Sequence, residues 1–200
     1  MLKFYQERNR LEAGVDEVGR GCLAGRVYAA AVVWPNRIED YDYSIIKDSK
    51  KLSDKKKILA KHYIEENAID YAIGWVDEKT IDKINILQAS QRAMHKAIDN
   101  LSVVPDYLLV DGNYFRPYMD RNDNYVSFDC ITKGDNEYIS IAAASVLAKV
   151  ARDQYIVDLV KENPEYEKYG WLKNKSYGTK QHLDAIKKYG ITPYHRTTFG

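Results

Sequence analysis

Short, dense apolar runs alternate along this chain with longer stretches in which apolar residues recur every three or four positions. The runs at 11–18 and 26–34 have glycines between them and read as two strands joined by a tight turn. Ser53 is placed to cap a helix over 54–67, with Ile58, Leu59 and either His62 or Tyr63 turned inward. Residues 68–76 read as a third strand. From 81 to 101, Ile84, Leu87, Met94, Ala97 and Ile98 keep helical spacing. A short apolar strand at 107–110 ends at Asp111-Gly112, and 125–131 makes a fifth. A long helix is expected from about 138 to 162. Its small residues Ala142, Ala143, Ala144 and Ala148 allow it to lie close on a sheet. A last helix spans 179 to about 189. Three strands followed by strands alternating with helices predict an α/β fold, a mixed five-stranded sheet flanked by helices. The whole of 1–200 reads as one domain, with 161–200 as a C-terminal helical extension.

Composition narrows the class. The 200 residues are 45% apolar, enough to bury a core and unlike a disordered chain. No apolar run reaches the roughly 18 residues of a membrane-spanning helix. The first ten residues are polar and charged and lack the core of a signal peptide, so a cytoplasmic protein is expected. Cys22 and Cys130 offer neither a disulfide framework nor zinc spacing and read as small buried thiols. The net charge of +1 carries no global basic signature, but charge is unevenly spread. Between Lys47 and Lys61, seven lysines face Asp48 and Asp54. From Lys161 onward, eight Lys/Arg face four acids. Basic patches around an acidic centre suit an enzyme that holds phosphates and metal ions together; solvated helix faces have the same composition.

Four acids lie where a carboxylate is costly. Asp16 and Glu17 interrupt an apolar strand, Asp111 follows Tyr107-Leu108-Leu109-Val110, and Asp135 sits between the fifth strand and the small-residue helix. A buried carboxylate needs a base, a donor or a metal as partner. Asp111 before Gly112 also suits an ordinary turn. That reading is weaker for the adjacent anions Asp16 and Glu17, which repel each other. Acids at strand ends form a plausible oxygen cage for hard divalent cations. Directly after the acidic pair come Gly19, Arg20 and Gly21, whose small size and fixed charge let main chain approach a ligand.

The run Asp16-Glu17-Val18-Gly19-Arg20-Gly21 resembles the signature of the ribonuclease HII family. So do Asp48-Ser49-Lys50-Lys51-Leu52-Ser53, Asn85-Ile86-Leu87 and Val110-Asp111-Gly112-Asn113. Lys133-Gly134-Asp135 leads into a further similar block from Ala142 to Val150, extended by Arg152-Asp153. Tyr177-Gly178-Thr179 and the tail from His195 to Phe199 complete the series, in family order across nearly the whole chain. Arg20 between the glycines separates the chain from the related ribonuclease HIII. Two segments depart from the pattern. Asn174-Lys175-Ser176 stands where the family commonly has His-Lys-Gly, and Thr197-Thr198 where it has Arg/Lys-Ser.

The resemblance implies a ribonuclease H-like fold and an endonuclease, with no membrane partner expected. It implies cutting 5′ of ribonucleotides in RNA/DNA hybrids and in ribonucleotide-containing duplex DNA. It further implies two Mn²⁺ or Mg²⁺ ions held by Asp16, Glu17, Asp111 and Asp135, with Asp16 bridging both. Gly19, Arg20 and Gly21 would surround the 2′-hydroxyl, Tyr177 would stack at the next nucleotide, and Lys50 and Lys51 would hold phosphates. A monomer is expected. His62, His182 and His195 have no assignable partner and are expected to be structural or solvent-exposed. Another ribonuclease H-like nuclease, or a non-catalytic nucleic-acid-binding module, are the alternatives; binding alone has no need of four acids near phosphates.

Overall fold

Runs rich in alanine and valine build the first two strands, β1 (Glu12–Val18) and β2 (Val27–Val33), which pair antiparallel. The computed structural model describes residues 2–36, 43–46 and 51–199. Lys47, Asp48, Ser49 and Lys50 lie outside the described residues. After α1 (Asp54–Asn67) comes β3 (Asp70–Val76), antiparallel to β2. Helix α2 (Glu78–Asp99) leads to β4 (Tyr107–Asp111), which runs parallel to β1. The two-residue β5 (Tyr118–Met119) pairs antiparallel with β6 (Tyr125–Ile131), itself parallel to β4. Then follow α3 (Ile139–Glu162), the single turn α4 (Trp171–Asn174) and α5 (Lys180–Tyr189). The sheet order is β3-β2-β1-β4-β6-β5.

The α/β class and mixed sheet are as expected, with six strands among the described residues instead of five. The extra strand, β5, is too short to leave a periodic signal. The connection between β1 and β2 is a long loop over 19–26 and not a tight turn.

Strand alternation divides the core between two layers. Ala13, Val15, Ala29, Ala31, Leu108 and Val110 face α2, where Ala89, Ala93, Met94 and Ala97 meet them. Ala30 and Val32 face the other way, onto α3 and onto Ala60 and Ile64 of α1. Gly14 is what lets α3 lie against β1, since a Cβ there would collide with the backbone of Ser140 and Ile141. A third cluster, around Ile156, Val160, Tyr169, Trp171 and Ala185, seats the C-terminal segments on the far end of α3.

Several expected contacts differ. Ser53 does cap α1, accepting from the Lys56 N–H at 3.3 Å. But α1 buries Ala60 and Ile64, while Ile58 and Leu59 are half exposed. Ile58 lines a groove of about 840 Å³ beside Tyr71, Trp75 and Leu147. The small Ala60 permits the close approach, so the larger residues are left outside. Helix α2 begins three residues earlier than expected, because Asp77 caps it by accepting from the Thr80 N–H at 2.8 Å. It also breaks at Asn85, whose φ is 71°. The Asn85 side chain restarts the helix by accepting from the Gln88 N–H at 3.0 Å, and Leu87 is left exposed. Cys22 is buried as expected, whereas Cys130 is only partly so.

Candidate active site

Asp16 and Asp111 are neighbours because β1 and β4 are parallel. Val15 pairs with Val110, and one step further along both strands sets the two acids side by side. Their preceding residues Val15 and Val110 face α2, so both carboxylates project toward the α3 side. Asp16 is 5% exposed. Glu17 closes β1 on the opposite face and is half-buried. Asp135 lies in a 3₁₀ turn (Gly134–Asn136) after β6, started by Lys133 at a positive φ of 56°. The Gly134 N–H donates to Asp111 Oδ1 at 2.7 Å, which ties that turn to the end of β4.

Burial holds the Asp16 carboxyl well above the usual carboxylate range. The charges of Asp111, Glu17 and Asp135 push it the same way, while the Glu17 N–H, donating at 2.7 Å, opposes them. The four predicted acids therefore share one electrostatic neighbourhood. Among the described residues no three His, Cys, Asp or Glu side chains are gathered closely enough to hold an ion as they stand. Four carboxylates repel, and closing them to ligand distance needs positive charge between them. The chemistry of the set, carboxylate oxygens around a buried acid, fits hard divalent cations.

The loop after β1 is held by two arginines whose importance the sequence reading missed. Arg152 of α3 is fully buried. It donates to the carbonyls of Arg26, Lys175 and Ala24, and to Ser176 Oγ, at 2.7–3.0 Å. Arg196 of the tail is 2% exposed and donates to the carbonyls of Gly25, Arg20 and Gly19 at 3.0, 2.9 and 2.7 Å. Burial pulls the Arg196 guanidinium down to about 10, with Arg152 adding to the effect and nearby acids such as Glu78 opposing it. Gly19 has φ of 95°, and a Cβ there would strike the Arg152 side chain. Main-chain bonds complete the clamp: Leu23 N–H to the Ser176 carbonyl and Gly25 N–H to the Tyr194 carbonyl, at 2.9 and 2.8 Å. Both arginines stand in motif blocks of the sequence, but spacing alone does not reveal that they turn inward. Arg20 itself is exposed, and Gly21 faces open space.

Tyr177 lies beside this loop, 36% exposed, within hydrogen-bonding reach of Cys22. Burial and the neighbouring thiol push its hydroxyl up to about 12. Lys149 of α3 sits 5.4 Å from its ring centroid and pairs with Asp153 at 2.8 Å. The structure thus brings Gly19, Arg20, Gly21 and Tyr177 onto one wall. Lys51 is exposed on the approach to α1.

The departures from the family pattern have structural partners. Asn174 donates to the Tyr169 carbonyl and Thr179 Oγ1, and accepts from the Ser176 N–H. Ser176 occupies a positive φ of 70° with its hydroxyl donating to the Ala24 carbonyl at 2.8 Å. Thr197 and Thr198 each give a main-chain and a hydroxyl hydrogen bond to Asp82, at 2.7–3.1 Å. His182 and His195 are buried against each other, so the solvent-exposed alternative does not hold for them; His62 is exposed.

A mixed sheet in this order, flanked by helices and carrying acids at the carboxyl ends of adjacent parallel strands, defines a ribonuclease H-like nuclease. The family model described as Ribonuclease HII matches residues 13–200. A ribonuclease HII of Parabacteroides distasonis is 52% identical over all of this chain and 94% of its own length. The ribonuclease H2 of Pyrococcus horikoshii superposes with a TM-score of 0.75 at 25% identity, covering 94% of this chain and 93% of that one. Bst-RNase HIII in complex with Mn²⁺ shares the fold at a TM-score of 0.67 and 20% identity, over 90% of this chain and 63% of that one. The chain belongs to the ribonuclease HII family and is an enzyme, a ribonuclease H. Among the described residues no helix is long and apolar enough to cross a membrane.

Proposed function

We propose that this enzyme hydrolyses the phosphodiester 5′ of ribonucleotides, both in RNA/DNA hybrids and at single ribonucleotides in duplex DNA, leaving 5′-phosphate and 3′-hydroxyl ends. RNA primer removal and ribonucleotide excision repair, carried out by a cytoplasmic monomer, are the matching roles. The observation that carries the reading is the buried Asp16 beside Asp111 on one face of the sheet, with Glu17 and Asp135 in electrostatic reach. A buried acid among acids has no structural use and is a standing cost to the fold. These four residues would hold two Mg²⁺ or Mn²⁺ ions, which when bound supply a nucleophilic water at neutral pH and stabilise charge on the leaving oxygen.

The chain's own residues do the rest. The Gly134 N–H orients Asp111 from behind. The loop over 19–26 offers its glycines and Arg20 to the ribose, because Arg152 and Arg196 occupy its carbonyls from the protein side. The 2′-hydroxyl is the group that separates RNA from DNA, and a rigid polar loop is suited to sense it. Tyr177 borders the same wall and provides a face for stacking on the following nucleotide. Lys51, with Lys50, would hold phosphates without reading sequence. The segment 161–200 would act as the second wall of the substrate channel. The test is a labelled duplex with one embedded ribonucleotide. Cutting on its 5′ side with Mg²⁺ or Mn²⁺, and none in excess chelator, is expected. Cutting that persists in chelator, or that ignores the ribonucleotide, overturns the reading.

A further inference from the structure

Tyr177 follows two residues, Lys175 and Ser176, that both adopt left-handed backbone at φ of 51° and 70°. Non-glycine residues resist this conformation, so the loop holds only where surrounding bonds over-determine it. One of those bonds comes from a buried pair of histidines. His182 Nδ1 lies 2.9 Å from the Tyr177 carbonyl, and His182 Nε2 lies 2.9 Å from His195 Nε2.

Counting protons around the pair leaves one arrangement. The Thr192 N–H donates to His195 Nδ1 at 2.9 Å, so that nitrogen carries no hydrogen. A neutral His195 ring then has its hydrogen on Nε2, and donates to His182 Nε2. The indole N–H of Trp171 also donates to His182 Nε2, at 3.1 Å. His182 therefore bears its hydrogen on Nδ1 and donates to the Tyr177 carbonyl. That carbonyl has a second lone pair for the Thr179 N–H at 2.9 Å. The single lone pair of His182 Nε2 is then shared by the Trp171 and His195 hydrogens, as a bifurcated acceptor. The set joins the tail (Thr192, His195), α4 (Trp171) and α5 (His182) to the backbone of Tyr177.

We propose that His182 and His195 are positioning residues for Tyr177, fixing its backbone by a single oriented N–H donor whose direction Thr192 and Trp171 determine. The inference rests on the reading of Tyr177 as the residue that stacks at the ribonucleotide junction. A mere core role predicts loss of stability without change of substrate preference. A positioning role predicts loss of preference.

The experiment measures kcat and KM on two substrates, a duplex with one ribonucleotide and a long RNA/DNA hybrid, for wild type, His182→Ala, His182→Asn and Tyr177→Ala. Removing one oriented hydrogen bond is expected to lower the ratio of single-ribonucleotide to hybrid cleavage about 5- to 10-fold in His182→Ala. His182→Asn keeps an N–H donor near the Nδ1 position and is expected to recover most of the ratio. In the wild-type protein, ¹⁵N spectra of the imidazoles are expected to show the hydrogen on Nδ1 of His182 and on Nε2 of His195. A wild-type ratio in folded His182→Ala, alongside an altered ratio in Tyr177→Ala, overturns this inference alone. An unchanged ratio in Tyr177→Ala overturns the junction reading and this inference with it. Reversed tautomers overturn the inference even if His182→Ala does not fold.

Discussion

A single carboxylate can serve chemistry and still keep its place in the fold. In the proposed mechanism Asp111 has both tasks: it faces Asp16 across the parallel strands, and it accepts the Gly134 N–H that secures the Asp135 turn. In Asp111→Asn the amide oxygen can still accept that bond, so the fold should stay intact while the charge is lost. Cleavage is expected to fall at least a hundredfold, with an unchanged far-ultraviolet spectrum. Near-normal turnover in the folded variant would exclude Asp111 from the site. Asp135→Asn is expected to be milder than Asp16→Asn, because Asp16 is central to the repulsive cluster and the most buried of the four. These acids were legible in the sequence because charge is conspicuous in apolar strands. Their facing geometry was not, because a parallel register between strands some ninety positions apart leaves no local trace.

At the scale of elements, the loop over 19–26 depends on helices and tail distant in sequence. Arg152 and Arg196 satisfy six main-chain acceptors of segments 19–26 and 175 between them. Arg196→Met removes the donors and leaves the Gly19, Arg20 and Gly25 carbonyls short of partners. Each unsatisfied buried group costs about 1–3 kcal/mol, and a domain of this size loses roughly 2–4 °C in Tm per kcal/mol. A drop in Tm of about 6 °C or more is expected by calorimetry, with weaker discrimination of the 2′-hydroxyl. A variant with wild-type Tm would show that the clamp is dispensable. Helices were readable where caps and periodicity agree, as at Ser53 and in the alanine face of α3. The outward turn of Ile58 was not, because it answers to the close approach at Ala60, and neither was the break at Asn85, because a single positive φ inside a helix leaves no periodic signal.

Across the whole molecule, the C-terminal segments are joined to the catalytic layer by buried polar bonds as well as by the apolar cluster at the end of α3. Burial pulls His195 down to about 4, with His182 adding to the effect; the rings of Tyr169 and Trp171 also face it. The unfolded chain takes up a proton here near pH 6.5, while the folded chain refuses it until about pH 4. The unfolded state thus binds more protons across that window, and stability falls as pH is lowered through it. A loss on the order of 1–3 kcal/mol is expected between pH 6.5 and 4, over and above the behaviour of His195→Gln. The check is denaturant unfolding of both proteins at several pH values, and equal slopes for the two would remove His195 as the cause.

The sequence by itself determined the α/β class, the family, and the residue types available for chemistry, because hydrophobic period, glycine placement and strand-end charge are local properties of the chain. Only the tertiary structure decided which of those residues meet. The parallel pairing of β1 with β4 brings Asp16 to Asp111. The docking of the tail turns two arginines from surface charges into a buried clamp, and two unassigned histidines into a hydrogen-bonded pair. Such contacts arise from packing between distant segments, and one chain's linear pattern does not encode which distant partner each polar group will find.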